Sequence, residues 1–157
     1  MVNMPDKLKI NVFQNPVDDV RKTVKRHLQL FNHKQLPHLF PHPDDLKDLP
    51  ALDLTIRDDN DQIIAGVVAN IFWGGLHIDY IWVDETLRSS GIGSVLMQRA
   101  EDEARKVSCA YMALETFDFQ ARPFYEKLGF EMIGEVEGFL PDHTFYYMRK
   151  DLNTQEE

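Results

Sequence analysis

A β-type run that ends in a glycine-containing loop and reopens as a helix leaves a chain little choice of local architecture. Here residues 76–83 are apolar and β-branched, a polar turn follows at Asp84-Glu85-Thr86, and Arg88-Ser89-Ser90-Gly91-Ile92-Gly93 comes next. Beyond it Ile92, Val95, Leu96, Ala100, Ala104 and Val107 recur three to four apart, which predicts one buried helix face. Strand, glycine loop and helix in that order bring successive N–H groups together at the positive end of a helix dipole. That is a cradle for phosphate. Arg88 adds a full charge at its rim.

Three kinds of phosphate loop compete for this stretch. A P-loop needs Gly-Lys-Ser/Thr, but Gly93 is followed by Ser94 and Val95. A dinucleotide-binding turn needs G-x-G-x-x-G, and the third position is Leu96, although Glu115 lies where a ribose-binding acid would. The third pattern, R-x-x-G-x-G, is met at Arg88, Gly91 and Gly93.

The elements around the loop narrow the choice. Residues 8–13 alternate and predict a first strand; Asn15 then reads as a helix cap with Pro16 in the first helical position. Asp18 and Asp19 suit the first turn, and Val17, Val20, Val24, Leu28 and Phe31 form the apolar face. Four prolines break residues 32–50 into an irregular segment. His33, His38 and His42 recur there at spacings that fit no metal site. Residues 52–57, a turn at 58–61, residues 63–73 with a candidate bulge at Gly66, a Gly74-Gly75 turn and residues 76–83 read as an antiparallel meander. A meander is not a dinucleotide-binding βαβ repeat. Residues 110–116 make a strand parallel to 76–83 across the crossover helix. A helix at 121–128, stopped by Gly129, and strands at 131–136 and 144–150 complete the expectation, with 137–143 as their loop and 151–157 as a frayed tail.

At 157 residues this is expected to be one domain, residues 1–157, with a core over about 8–152. A net charge of −9 argues against a nucleic-acid face, which needs clustered Lys and Arg. A single cysteine, Cys109, permits no internal disulfide, and there is neither an apolar leader nor a membrane-length run, so the expected location is cytoplasmic, with no membrane partner.

Residues 121–130, ARPFYEKLGF, fit A-x-x-x-Y-x-K-x-G-F about thirty residues after the R-x-x-G-x-G loop. Together the two motifs and the element order resemble the GNAT superfamily of acetyl-CoA-dependent N-acetyltransferases. The resemblance implies an α/β (α+β) fold with a mixed, mostly antiparallel sheet of about seven strands, flanking helices and a splayed parallel strand pair. It implies acetyl-CoA as co-substrate and no metal. The acceptor would be a primary amine of a small molecule, amino acid or peptide, and a homodimer is allowed for. The alternative is a GNAT-fold module that binds acyl-CoA without transfer.

By the same resemblance, the pyrophosphate would lie on Arg88, Ser89, Ser90, Gly91, Ile92, Gly93 and Ser94. The pantetheine arm would run along Ile81, Trp82 and Val83, and a freed N–H near Ile81 would face the oxyanion. Many family members carry an Asn contact to the cofactor where this chain has Asp118. Tyr125 would protonate the leaving thiolate. Four residues compete as base for the acceptor ammonium: Glu115, His77, Asp79 and His143.

Overall fold

The structure, a computed structural model, describes residues 10–45 and 51–152. The chain divides into two compact units, Met1–Lys47 and Asp48–Glu157.

The first unit carries helix α1 (Asp18–Gln35). Its cap is Val17, not Asn15: Val17 stays extended (φ −116°, ψ 109°) while its carbonyl accepts the Arg21 N–H at 3.0 Å. Helical dihedrals therefore begin with the two aspartates, whose charge favours that end. Of the expected first strand, Leu8 and Lys9 lie outside the described residues. Ile10, Val12 and Phe13 are exposed and form no strand. After α1 the chain turns, and Arg26 grips Asp44 with two hydrogen bonds of 2.5 and 3.1 Å.

The second unit is a six-stranded sheet with two helices. In chain order it runs β1 (Ala51–Arg57), β2 (Ile63–Phe72), β3 (Gly75–Val83), α2 (Ile92–Lys106), β4 (Tyr111–Phe117), α3 (Arg122–Lys127), β5 (Glu131–Leu140) and β6 (His143–Asp151). The spatial order is β1-β2-β3-β4-β6-β5. Every neighbouring pair is antiparallel except β3 and β4, as a helical crossover requires. Gly66 pairs regularly, and its place is a close approach: a Cβ there would stand 2.9 Å from the Leu54 carbonyl oxygen. The bulge in β2–β3 falls three residues on and is carried by β3. Val68 faces Tyr80 and Ala69 faces Ile78, so Asp79 is the extra residue. The last hairpin is tighter than its sequence suggests. Gly138 (φ 68°) absorbs an irregularity, so β5 runs to Leu140 and only Pro141 and Asp142 form the turn.

One face of the sheet carries the core. Ala65, Val67 and Ala69 of β2 meet a helix that is itself lined by Ala100 and Ala104, and Leu76, Met112, Leu114 and Met148 fill the space between. Small side chains on both surfaces let α2 approach closely. Truncating fully buried Met148 to Ala would cost about 2–5 kcal/mol. The buried stripe of α2 is Leu96, Met97, Ala100, Glu101 and Ala104. Val95 and Val107, expected on that face, are exposed. The tail is better anchored than expected too: Asp151 is in β6, and buried Leu152 donates its N–H to Ala110 at 2.8 Å.

Glu101 is the charge in that stripe. Its carboxylate accepts from Lys150 at 2.5 Å and from Arg105 at 2.7 and 3.1 Å, while Arg105 also donates to the Leu152 carbonyl at 2.6 Å. The triad ties α2 to the end of β6. Burial pushes the Glu101 pKa up, but the Lys150 and Arg105 donors outweigh it and hold the group below its ordinary value. Glu101→Ala is expected to lower stability by about 2 kcal/mol, less than a wholly buried pair because both cations reach solvent. A depressed carboxylate pKa stabilises fully above the unfolded value near ~4.3 and ceases to do so as pH falls through the folded one. Urea melts at pH 7 and pH 3 should therefore show the gap between wild type and Glu101→Gln narrowing in acid.

Candidate active site

Strands β3 and β4 pair only over 75–78 with 111–114, although both continue beyond. The bulge at Asp79 is where they part. Each strand then has an edge whose backbone groups lack a ladder partner on the other, the condition for an extended ligand to enter as a strand would. A cleft of about 800 Å³ opens at this gap. Asp79, Tyr80, Ile81 and Val83 line it from β3, Glu115 from β4, and the loop before α2 together with α3 closes its other sides.

The loop is shaped by its polar residues. Asp84 accepts from the Thr86 N–H (2.9 Å) and hydroxyl (2.6 Å), which starts a single 3-10 turn over Glu85–Leu87. The Ser90 hydroxyl donates to the Leu87 carbonyl at 2.5 Å. Ser89 (φ 63°) and Gly91 (φ 88°) take left-handed backbone, and the chain then enters α2. The first bond of that helix runs from Val95 N–H to the Gly91 carbonyl at 3.1 Å. The N–H groups of Ile92, Gly93 and Ser94 thus precede the ladder and are available to an anion. A Cβ at Gly93 would meet Phe124 at 3.2 Å and Val83 at 3.8 Å, so only glycine leaves this wall of the cleft clear. Arg88 lines the same cleft, its Nε donating to the Val83 carbonyl at 3.3 Å. Glycine backbone, free N–H groups and a guanidinium make a donor set suited to a pyrophosphate.

Helix α3 delivers Tyr125. Gln120 fixes the turn before it by accepting from Thr116 (3.2 Å) and the Phe117 N–H (2.9 Å). Tyr125 is 8% exposed and lies against Phe124 and Phe130. Its hydroxyl has no hydrogen-bond partner among the described residues yet is not sealed from solvent, so it opens to the cleft it lines. Burial pushes the phenol above its ordinary pKa and keeps it protonated at neutral pH.

The expected site residues do not all converge. Ile81, Val83, Arg88, Ser89, Gly91, Ile92, Gly93, Ser94, Glu115, Tyr125 and Asp79 line the cleft. Trp82 and Ser90 sit between lining residues. His77 lies off the cleft, stacked on Phe72 with centroids 3.8 Å apart and its Nε2 3.2 Å from the Tyr111 hydroxyl. Burial pushes its pKa down, against the pull of Asp79. His143 and Asp118 also lie outside the lining, joined to each other at 2.9 Å. Asp118 further accepts the Thr144 N–H at 3.2 Å, which clamps the end of β4 to the start of β6. Burial raises the Asp118 pKa, but these donors outweigh it and leave it lowered. Gln120, Phe124 and Lys127 also line the cleft, beyond the expected residues. Only Lys127 had a signal, its place in the Y-x-K segment.

Among the described residues no helix is long and apolar enough to cross a membrane. The chain matches the profile of the Acetyltransferase (GNAT) family over residues 22–130. It is 36% identical to a blasticidin-S acetyltransferase of Streptomyces morookaense, over 58% of this chain and 68% of that protein. An acetyltransferase structure from Bacillus cereus ATCC 14579 superposes with a TM-score of 0.76 at 27% identity, covering 90% of this chain and 98% of the other. The acetyl coenzyme A complex of a Bacillus anthracis str. Ames protein shares the fold, with a TM-score of 0.60 at 24% identity over 75% and 72% of the two chains.

Proposed function

The chain belongs to the GNAT acetyltransferase family, and from that premise we propose that it transfers the acetyl group of acetyl-CoA to a primary amine of a small molecule, amino acid or peptide. Acetyl-CoA is the co-substrate of this family. The observation that carries the reading is the parting of β3 and β4 beside the free N-terminus of α2, with the Tyr125 hydroxyl opening into the same cleft.

Each part has a chemical task. Ile92, Gly93 and Ser94 N–H groups with Arg88 hold the pyrophosphate. The edge of β3 that has left β4, at Ile81 and Val83, aligns the pantetheine arm and offers an N–H to the oxygen that gains charge. Tyr125 gives its proton to the departing sulfur, a role that a phenol kept protonated by burial suits. Glu115 and Asp79 are the carboxylates within the cleft, and an ammonium acceptor is favoured by them. The blasticidin-S relative supports a small-molecule acceptor.

The test is a panel of five amines with acetyl-CoA: blasticidin S, glycine, n-butylamine, an alanine-initiated peptide and a lysine-containing peptide. Free thiol and acetylated product are measured together. At least one amine should yield both in equal amounts. Binding of acetyl-CoA without acetylation of any of them would make the chain a binding module and refute the proposal.

A further inference from the structure

We propose that Asp79 is the general base that frees the acceptor amine and that Asn70 is its positioning residue, an inference that rests on the acetyl-transfer reading above. Four groups could take a proton from an ammonium at neutral pH, and placement separates them. His77 is stacked against Phe72 and turned to Tyr111, and His143 is held by Asp118, both outside the cleft. Asp79 and Glu115 remain.

These two carboxylates differ in how they are held. Asp79 is the bulged residue of β3, placed at the point where β3 leaves β4, since the last pair between them is Ile78 with Leu114. Asn70 of β2 pairs with His77 and is thus the diagonal neighbour of Asp79 across the ladder. Its side-chain amide donates to Asp79 Oδ2 at 2.5 Å. That bond fixes the carboxylate and leaves Oδ1 free. Glu115 makes no hydrogen bond or ion pair among the described residues, so its longer side chain is not oriented. A base must be held in place to act in the transition state, and only Asp79 is. The bulge thus does two things at once: it opens the strands and places Asp79 at the cleft within reach of Asn70.

The proton count closes. Asp79 Oδ1 takes one proton from the ammonium, directly or through one water. The neutral nitrogen attacks the thioester carbon, the N–C bond forms and the C–S bond breaks. The sulfur receives the Tyr125 proton, and the proton lost by the new amide nitrogen restores Tyr125 through solvent. Asp79 releases its own proton to solvent, so each turnover yields amide, free thiol and one proton.

The charged and titratable groups around Asp79 are His77 on its own strand, Glu115 on β4, and Arg88, Lys127 and Tyr125 in the shared cleft. The variants tell whether the acid limb of kcat/KM belongs to Asp79. The probe is the panel amine that wild type turns over fastest. Asp79→Asn should lower kcat/KM by about 10²-fold and abolish the acid limb, with the Kd for acetyl-CoA unchanged. Glu115→Gln should keep the limb. Asn70→Ala leaves the carboxylate without its donor, so kcat should fall by about tenfold with the amine KM held. Asn70→Asp places a like charge beside Asp79 and should move the acid limb to higher pH, while Asn70→Ser, which keeps a donor, should recover part of the kcat lost in Asn70→Ala. Melting curves confirm that each variant is folded. An acid limb that survives in Asp79→Asn or does not move in Asn70→Asp, or a kcat unchanged in Asn70→Ala, overturns the assignment while acetyl transfer stands. Absence of turnover by wild type on all five amines overturns both.

Discussion

Gly93→Val is expected to raise the Kd for acetyl-CoA by more than 10²-fold while the protein stays folded. The effect is steric first. The Cβ alone would come to 3.2 Å from Phe124 Cζ, closer than an ordinary contact, and valine adds two methyl groups to it. They either push Phe124 and the wall of the cleft or occupy the space that a pyrophosphate oxygen needs to reach the Ile92, Gly93 and Ser94 N–H groups. Losing two charge-assisted hydrogen bonds at about 1.5–3 kcal/mol each already exceeds a factor of 10². Arg88→Ala removes one such contact and should cost about 10–100-fold. Its guanidinium is solvent-exposed, 57% by side-chain area, so the lower part of that range is expected. Calorimetric titration reads both variants. Unchanged affinity in folded Gly93→Val would remove the loop from the account.

Tyr125→Phe is the second large effect. It should lower kcat by about 10²-fold and leave the Kd for acetyl-CoA within about twofold. The ring stays, so the contacts to Phe124 and Phe130 that seat α3 survive. The hydroxyl has no partner to lose within the described residues, so no buried group is orphaned by its removal. What disappears is the one hydroxyl of a residue that lines the cleft, the proposed proton donor. General acids contribute about 10²–10⁴-fold, and a thiolate is a good enough leaving group to place the effect at the low end. Steady-state kinetics with the fastest panel amine measures it. Full activity in Tyr125→Phe would strip the phenol of that role.

Much of this was legible because local chemistry forced it. A left-handed residue at the entry to α2 calls for Gly91, and a meander followed by a crossover helix dictates the sense of β3 and β4. Tyr125 came from a motif whose helix and spacing the fold reproduces. What escaped was set by tertiary contact. Helical periodicity marks a stripe without its edges, so it assigns Val95 and Val107 to the core and passes over Glu101, a charge that Lys150 and Arg105 make tolerable. His77 and His143 looked like bases on intrinsic pKa, yet Tyr111 and Asp118, each far off in sequence, decide where they point. Asn70 carried no sequence signal at all. It acquires its meaning from a one-residue bulge, and a bulge at Asp79 leaves no mark in an alternation that runs on either side of it. Asn15 lost the cap to Val17 for a related reason: cap preference is worth about 1 kcal/mol and yields to any competing backbone geometry.

The central claim is that acetyl-CoA lies between the parted strands with its pyrophosphate on the N-terminus of α2. Titrating acetyl-CoA into ¹⁵N-labelled protein and following backbone amide shifts tests it most directly. The account predicts the largest shifts at Ile81, Val83, Gly91, Ile92, Gly93 and Ser94, and their loss in Gly93→Val at the same concentration. Shifts concentrated instead around His77 and Tyr111, or around Asp118 and His143, would contradict it.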